Sequence, residues 1–131
     1  QRQMCIRDRT DAVLCAWKSN LEKKKIELHY EIEGYDRGEI EEQDLAKILI
    51  GILNWGENLV KKEEHREIRL KITGVKNQLI LECLTSSRRQ NPMSRKLFRG
   101  LVKKYNGKMQ EKKEKTGEIG LTVILSRQVI L

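Results

Sequence analysis

The chain contains 131 residues with one proline, 27 Lys and Arg, and 19 Asp and Glu, which gives a formal net charge of +8. This length fits one domain with a substantial hydrophobic core, and the periodic apolar blocks exclude global disorder. No apolar run approaches the roughly 20 residues that cross a bilayer, so we expect no membrane contact from this segment. Three cysteines without a CxxC motif or a signal peptide exclude a secreted disulfide scaffold and favour a cytoplasmic protein. The basic balance favours an acidic partner such as nucleic acid, phosphate or anionic lipid.

Six of the first nine residues, QRQMCIRDR, resemble the translation of a sequencing adapter. The codons CAG-ATG-TGT-ATA-AGA-GAC encode Gln-Met-Cys-Ile-Arg-Asp, which is the sequence from Gln3 to Asp8. This DNA resembles the end of a transposase adapter used in preparing sequencing libraries. We therefore interpret residues 1–9 as an artefact and residues 10–131 as the domain, and we expect that natural sequence upstream of Thr10 has been lost.

Apolar periodicity and turn residues predict eight elements in chain order. Thr10 or Asp11 can cap a first helix, and strict alternation from Ile26 to Glu33 predicts a half-buried strand. A long amphipathic helix follows, then two strands around a turn at 74–77, a third helix that Asn106-Gly107 ends, and a final hairpin. The predicted helices are 10–24, 41–61 and 94–105, and the predicted strands are 26–33, 67–73, 78–84, 108–114 and 119–126.

The order α-β-α-β-β-α-β-β predicts an α/β (α+β) two-layer sandwich. Consecutive hairpins indicate a mixed, mainly antiparallel sheet of about five strands, with three helices covering one face. A doubly wound fold is excluded because it would need a helix between most of its strands.

Four stretches of the chain resemble one known family. They are TDAVLCAWKSNLEKKKIELHYEIE (10–33), DLAKILIGILNWGENLV (44–60), IRLKITGVKNQLILEC (68–83), and LFRGLVKKYNGKMQ with GLTVIL within 97–125. In order and spacing they resemble the C-terminal ATP-binding domain of GHKL sensor histidine kinases, in the branch of peptide-sensing kinases of Gram-positive bacteria. The resemblance implies a histidine-kinase ATPase-like fold, a role in bacterial two-component signalling, and a place at the cytoplasmic end of a membrane-bound sensor or in the cytoplasm. It also implies ATP and magnesium as cofactors if the family function is retained.

The residues that should hold the nucleotide depart from the family pattern. Family members present two asparagines one helical turn apart, whose amide oxygens reach the magnesium ion on the triphosphate. In the register of the family motif DLcvILgNLLDNAieA, Gly51 stands at the first asparagine and Trp55 at the second. Asn54 takes the place of the family's Asp, and Asn58 follows it by one turn. A site shifted to Asn54 and Asn58 remains an alternative.

The phosphate-binding segment and the lid also depart from the family. The family opens its last helix with a glycine-rich segment that wraps phosphates with backbone N–H groups, whereas this chain has NPMSR at 91–95. Pro92 has no N–H to donate, and Ser94 replaces a glycine. Only residues from Thr85 to Gln90 separate the central hairpin from this segment, so the lid is nearly missing. The nucleotide positions implied by the family are Gly51, Asn54, Trp55, Asn58, Thr85 and Ser94, and we expect no bound cofactor.

The remaining candidate residues give weaker signals. His29 and His65 are interpreted as surface histidines, and neither inherits the family's phosphoacceptor role, which belongs to an upstream dimerisation segment. Cys15 and Cys83 are predicted to be buried, and no Cys and His have zinc-ligand spacing, so no metal site and no catalytic residue are predicted. For Trp55, one interpretation is core filling beside the next glycine, and the other is that its indole plugs the vacated nucleotide cleft. Whether the chain is an enzyme stays open.

Basic residues around the shortened lid are the candidates for docking a protein. These docking candidates are Arg88, Arg89, Arg95, Lys96 and Arg99. Their expected partner is an acidic surface on the chain's own upstream dimerisation helices or on a response regulator. Two alternatives stay open: an active ATP-binding histidine kinase domain, and a small basic nucleic-acid-binding module. The low aromatic content, 5%, disfavours nucleic acid, because sequence-tolerant binding uses stacking aromatics.

Overall fold

The computed structural model describes residues 9–89 and 96–127, and it contains the eight elements in the predicted order. They are α1 (Arg9–Lys23), β1 (Glu27–Glu33), α2 (Glu42–Val60), β2 (Glu67–Val75), β3 (Gln78–Thr85), α3 (Lys96–Lys104), β4 (Lys108–Lys113) and β5 (Ile119–Ser126). Of the segment interpreted as an artefact, residues 1–8 lie outside the described residues, as does Ser94, the predicted cap of the third helix. Every predicted element is confirmed.

The five strands form one sheet in the order β1-β2-β3-β5-β4. β1 and β2 run parallel, and the pairs β2–β3, β3–β5 and β4–β5 are antiparallel. A parallel pair needs a long crossover connection, and α2 supplies it between β1 and β2. The prediction of a mixed, mainly antiparallel sheet is therefore confirmed.

The three helices pack on one face of this sheet, and we call the opposite face the open face. Alternate strand residues point into the helix layer, so Leu28, Leu70 and Leu121 are buried while His29 and Arg69 on the open face are exposed. α2 lies between α1 and α3 and packs on β2 and β3. No helix within 9–89 and 96–127 is long and apolar enough to span a bilayer.

The cysteine prediction is confirmed for one residue only. Cys83 on β3 is 2% exposed and lies in the core, where burial raises the pKa of its thiol to about 12. Cys15 is half-buried instead of buried, because its position on α1 lies at the margin of the core beside the Tyr30 hydroxyl, 3.9 Å from its sulfur. Both thiols are free.

Candidate functional site

The position that the family motif assigns to the first magnesium-binding asparagine is filled by an aromatic ring. Gly51 lies on the buried side of α2, and a Cβ added to it would lie 2.2 Å from Cδ2 and 2.9 Å from Cγ of Phe98. Phe98 comes from α3 and is 1% exposed. Ordinary van der Waals contacts of a Cβ begin at about 3.4 Å, so no side chain fits at position 51 unless the ring moves. Phe98 is a site residue that the sequence analysis missed.

Trp55, at the second asparagine position, is completely buried and belongs to the hydrophobic core. Core filling, the first of the two interpretations, is therefore confirmed. The next residue, Gly56, brings α2 close to the sheet, since its Cβ would lie 3.2 Å from Ile68 and 3.7 Å from Cys83. Among the described residues the indole Nε1 has no hydrogen-bond partner, which costs roughly 1–3 kcal/mol for a buried donor. The apolar packing of the ring must outweigh this cost.

The alternative pair of asparagines differs in exposure. Asn54 is half-buried and Asn58 is exposed near the end of α2. Asn58 lines an open cleft of about 590 Å³, whereas Asn54 is absent from the residues that line it. The amide of Asn58 can therefore contact a ligand in that cleft without help from Asn54.

Thr85 is committed to the structure of the loop after β3. Its buried hydroxyl donates a hydrogen bond to the carbonyl of Ile119 at 3.0 Å and accepts one from the N–H of Ser87 at 3.3 Å. The main chain continues this link, because the N–H of Ile119 donates to the carbonyl of Ser87 at 2.9 Å. The Ser87 hydroxyl in turn bonds the main chain of Arg89. The described part of the shortened lid is thus a tight loop fixed to β5.

Four of the basic side chains form a cationic cleft at the end of α2. The cleft of about 590 Å³ is lined by Asn58, Leu59, Lys61, Lys62, Glu63, Arg88 and Arg89. Arg88 is anchored there, since its Nη1 donates to the carbonyl of Thr116 at 2.7 Å in the turn between β4 and β5. Cations here also suit the partial negative charge at the end of a helix. We call this site the basic cleft.

The predicted docking cluster is therefore divided by the structure. Arg88 and Arg89 lie in the basic cleft, together with Lys61 and Lys62 from the end of α2 and the turn that follows it. Arg99 is exposed on α3 and does not line the cleft. Arg95 lies outside the described residues, and for Lys96 the structure describes only the backbone at the start of α3.

A buried carboxylate connects the start of α2 to the end of α3. Asp44 accepts hydrogen bonds from Lys104 Nζ at 2.8 Å and from the Tyr105 hydroxyl at 2.5 Å. These hydrogen bonds, that from Lys104 first, lower the pKa of Asp44 even though its burial acts in the opposite direction. The bond to Asp44 raises the pKa of Lys104. This network holds α3 against α2 and thereby keeps Phe98 over Gly51.

Solved structures share this arrangement of helices and strands. Neither a protein-family model nor a curated protein sequence matches the chain. The catalytic domain of histidine kinase ThkA, in a nucleotide-free form, superposes with a TM-score of 0.71 at 9% identity, covering 89% of this chain and 90% of that one. The histidine kinase AdeS of Acinetobacter baumannii gives 0.70 at 11% identity, covering 92% of this chain and 66% of AdeS.

A third structure extends the likeness to a longer protein. A blue-light activated histidine kinase of Erythrobacter litoralis gives a TM-score of 0.64 at 9% identity, with 86% of this chain and 40% of that chain covered. At identities this low, the likeness defines the architecture but does not assign a role to any individual residue. The chain has the fold of the catalytic domains of histidine kinases.

Proposed function

We propose that this chain is a degenerate ATP-binding domain of the histidine kinase type, which acts as a regulatory and interaction domain in bacterial two-component signalling. The observation that carries the proposal is the ring of Phe98, which takes the space that an asparagine at position 51 would need. A buried indole at position 55 supplies no oxygen for a magnesium ion. Without those two ligands the charge of a triphosphate is not neutralised in the family's manner.

The contacts of Thr85, another position that the family implies for nucleotide binding, support the same proposal. The Thr85 hydroxyl is engaged by Ile119 and Ser87. Trp55 fills the hydrophobic core, so its indole is not free to contact a nucleotide. Residues 10–131 are the domain in this proposal.

A calorimetric titration tests the loss of nucleotide binding. The full chain is titrated with ATP and Mg²⁺, with ATP alone and with tripolyphosphate, beside a histidine kinase catalytic domain that has both asparagines. We expect no Mg²⁺-dependent binding of ATP to this chain. Saturable binding at micromolar to sub-millimolar Kd that needs both adenine and Mg²⁺ would refute the proposal. Equal weak binding of ATP and tripolyphosphate would instead indicate simple charge attraction to the basic cleft.

The proposed docking site for a protein partner is the basic cleft. Four cations and one acid line it, so it attracts an acidic segment of the upstream dimerisation helices or of a response regulator. A labelled polyglutamate peptide serves as the acidic probe, and its binding is followed by fluorescence anisotropy. We expect Lys62→Glu with Arg89→Glu to weaken binding, whereas Lys112→Glu with Lys113→Glu, the same charge change on exposed β4, leaves it nearly unchanged. Equal weakening by both pairs would contradict a docking role for the cleft.

One observation favours a second candidate function. Asn58 lines the basic cleft, so an active domain could bind Mg²⁺ through this amide and the triphosphate through the surrounding cations. The Mg²⁺-dependence measured in the titration above decides between the two. Nucleic-acid binding has less support, because Trp55 and Phe98 are buried in the core and the other aromatic side chains are partly buried against it, which leaves no fully exposed ring for base stacking.

A further inference from the structure

Both histidines of the chain lie against one glutamate on the open face of the sheet. His65 Nε2 lies 3.1 Å from Oε1 of Glu67, and His29 Nε2 lies 3.4 Å from its Oε2. The parallel pairing of β1 with β2 places Glu27 beside Glu67, and His29 follows Glu27 by two residues on the same face. Four potential metal ligands, separated in sequence by α2, are thus brought to one end of the β1–β2 pair.

The backbone of this cluster is held in place by a serine. The N–H of Glu67 donates to the Ser86 hydroxyl at 3.0 Å, and that hydroxyl donates to the carbonyl of His65 at 2.7 Å. Glu67 is also the least exposed member, with 17% of its side chain accessible, compared with 56% for His29 and 70% for His65. Glu67 is therefore a fixed centre, and the two imidazoles can adjust around it.

The spacing of the ligand atoms suits a small divalent ion. One ligand atom each from Glu27, His29 and Glu67 can be chosen so that all three lie within 4.8 Å of one another. Nitrogen and oxygen ligands at about 2.0–2.2 Å from a tetrahedral ion lie about 3.4 Å apart. This spacing matches the 3.4 Å between His29 Nε2 and Oε2 of Glu67. We propose that Glu27, His29 and Glu67, with solvent in the fourth position, bind a divalent transition-metal ion such as Zn²⁺ on the open face.

The mixture of ligands decides which metals fit. Imidazole nitrogen with carboxylate oxygen suits Zn²⁺, Co²⁺, Ni²⁺ or Cu²⁺, whereas Mg²⁺ and Ca²⁺ prefer oxygen ligands alone. A depression of about 460 Å³ on the open face includes His29 among its lining residues, so solvent and ions can reach the cluster. A bound ion would link β1 directly to the start of β2.

Arg69 competes with the metal for the same carboxylate. Its Nε donates to Oε2 of Glu67 at 3.0 Å, and its side chain is 65% exposed. In the metal-free protein this guanidinium balances the charge of Glu67, and it must swing into solvent when an ion binds. A metal site therefore predicts that removing the guanidinium tightens metal binding, whereas a surface ion pair predicts no metal affinity with or without Arg69.

Metal binding is measured on the full chain carrying Cys5→Ser, so that this thiol cannot bind the ion. Zn²⁺ is titrated against a chromophoric chelator, and Co²⁺ absorption reports the ligand type. We expect His29→Ala and Glu67→Gln to weaken Zn²⁺ binding by about tenfold or more and Arg69→Gln to tighten it. Glu82→Gln, an exposed carboxylate on β3 outside the cluster, is the matched control and leaves the Kd unchanged.

Three results would overturn the metal site. The first is a Zn²⁺ Kd weaker than about 100 μM for both the starting protein and Arg69→Gln. The second is a Kd for His29→Ala equal to that of Glu82→Gln. The third is a Co²⁺ spectrum dominated by thiolate charge-transfer bands, which would place the ion on Cys15 or Cys83. His29 is exposed, so we expect His29→Ala to keep the fold, and circular dichroism of the variant checks this independently.

Discussion

The contact between Gly51 and Phe98 predicts an unusual response to the substitution Gly51→Ala. Replacing a helix-interior glycine by alanine normally stabilises a helix by about 1 kcal/mol. Here the new Cβ would lie 2.2 Å from the Phe98 ring, so the ring must retreat by more than about 1 Å in a core with no free space. Overpacking of this kind costs about 1–3 kcal/mol, and the fully buried ring places Gly51→Ala at the upper end.

The net expectation is a loss of about 1–2 kcal/mol in the free energy of unfolding. Urea denaturation followed by circular dichroism measures it, as a fall of about 0.5–1 M in the midpoint with an unchanged slope. Gly100→Ala is the matched control, because Gly100 is also a helical glycine but a Cβ there would meet nothing within 4 Å. That control is expected to gain up to about 1 kcal/mol.

A double-mutant cycle isolates the contact itself. Phe98→Ala costs about 3–5 kcal/mol through its cavity, but it removes the ring that a Cβ at position 51 would strike. In that background Gly51→Ala is expected to reverse its sign and stabilise the protein by about 1 kcal/mol, which gives a coupling energy of about 2–3 kcal/mol. Stabilisation by Gly51→Ala in the unmodified protein would refute the reasoning, since the space beside α2 would then be open to an asparagine.

Three further predictions follow from buried groups. Asp44→Asn is expected to cost about 1.5–3 kcal/mol, because it removes the charged acceptor of Lys104 and Tyr105. The pKa of Asp44 is lower in the folded protein than in the unfolded chain, so its full stabilising effect is present above the unfolded-state pKa. This stabilisation is lost as the pH falls through the folded-state pKa. Below about pH 4, the urea midpoint of Asp44→Asn should therefore fall less steeply with pH than that of the unmodified protein. Trp55→Ala should lower the free energy of unfolding by about 3–5 kcal/mol in urea titrations, and a loss below about 1 kcal/mol would contradict its place in the core. Burial raises the pKa of Cys83 to about 12, so iodoacetamide at neutral pH should label it only on unfolding, as peptide mass spectrometry would show; rapid labelling of the native protein would disagree.

Local patterns were sufficient to predict the elements, because each strand and helix shows its own period. Alternation from Leu28 to Ile32 and the apolar stripe of α2 reproduce the observed burial. The central turn is the main difference. The antiparallel register pairs Val75 with Gln78, so the turn consists of Lys76 and Asn77 instead of the predicted four residues. Lys76 has φ of 54°, a left-handed conformation that the sequence does not signal at a lysine.

Candidate site residues could be predicted from the sequence only where they lie together on one helix or strand. Gly51 and Trp55 lie on one helix, so a single register of the family motif was enough to select them as candidates. Phe98 belongs to a different helix, and its position over Gly51 follows from how α3 docks on α2. The convergence of His29 and His65 on Glu67 depends in the same way on the parallel register of two strands that are distant in sequence. Motif spacing along one chain does not encode such registers.

The fit of Phe98 to Gly51 bears on the proposed loss of the nucleotide site. An asparagine at position 51 and the present ring of Phe98 exclude each other, because both need the same space. Restoring the asparagine alone would therefore destabilise the core without creating a magnesium site. Recovery would need position 98 to become smaller and position 55 to exchange a buried indole for an amide in the same protein. In the proposed degenerate domain, the residues that close the cleft also stabilise the fold, so selection for stability alone keeps it closed.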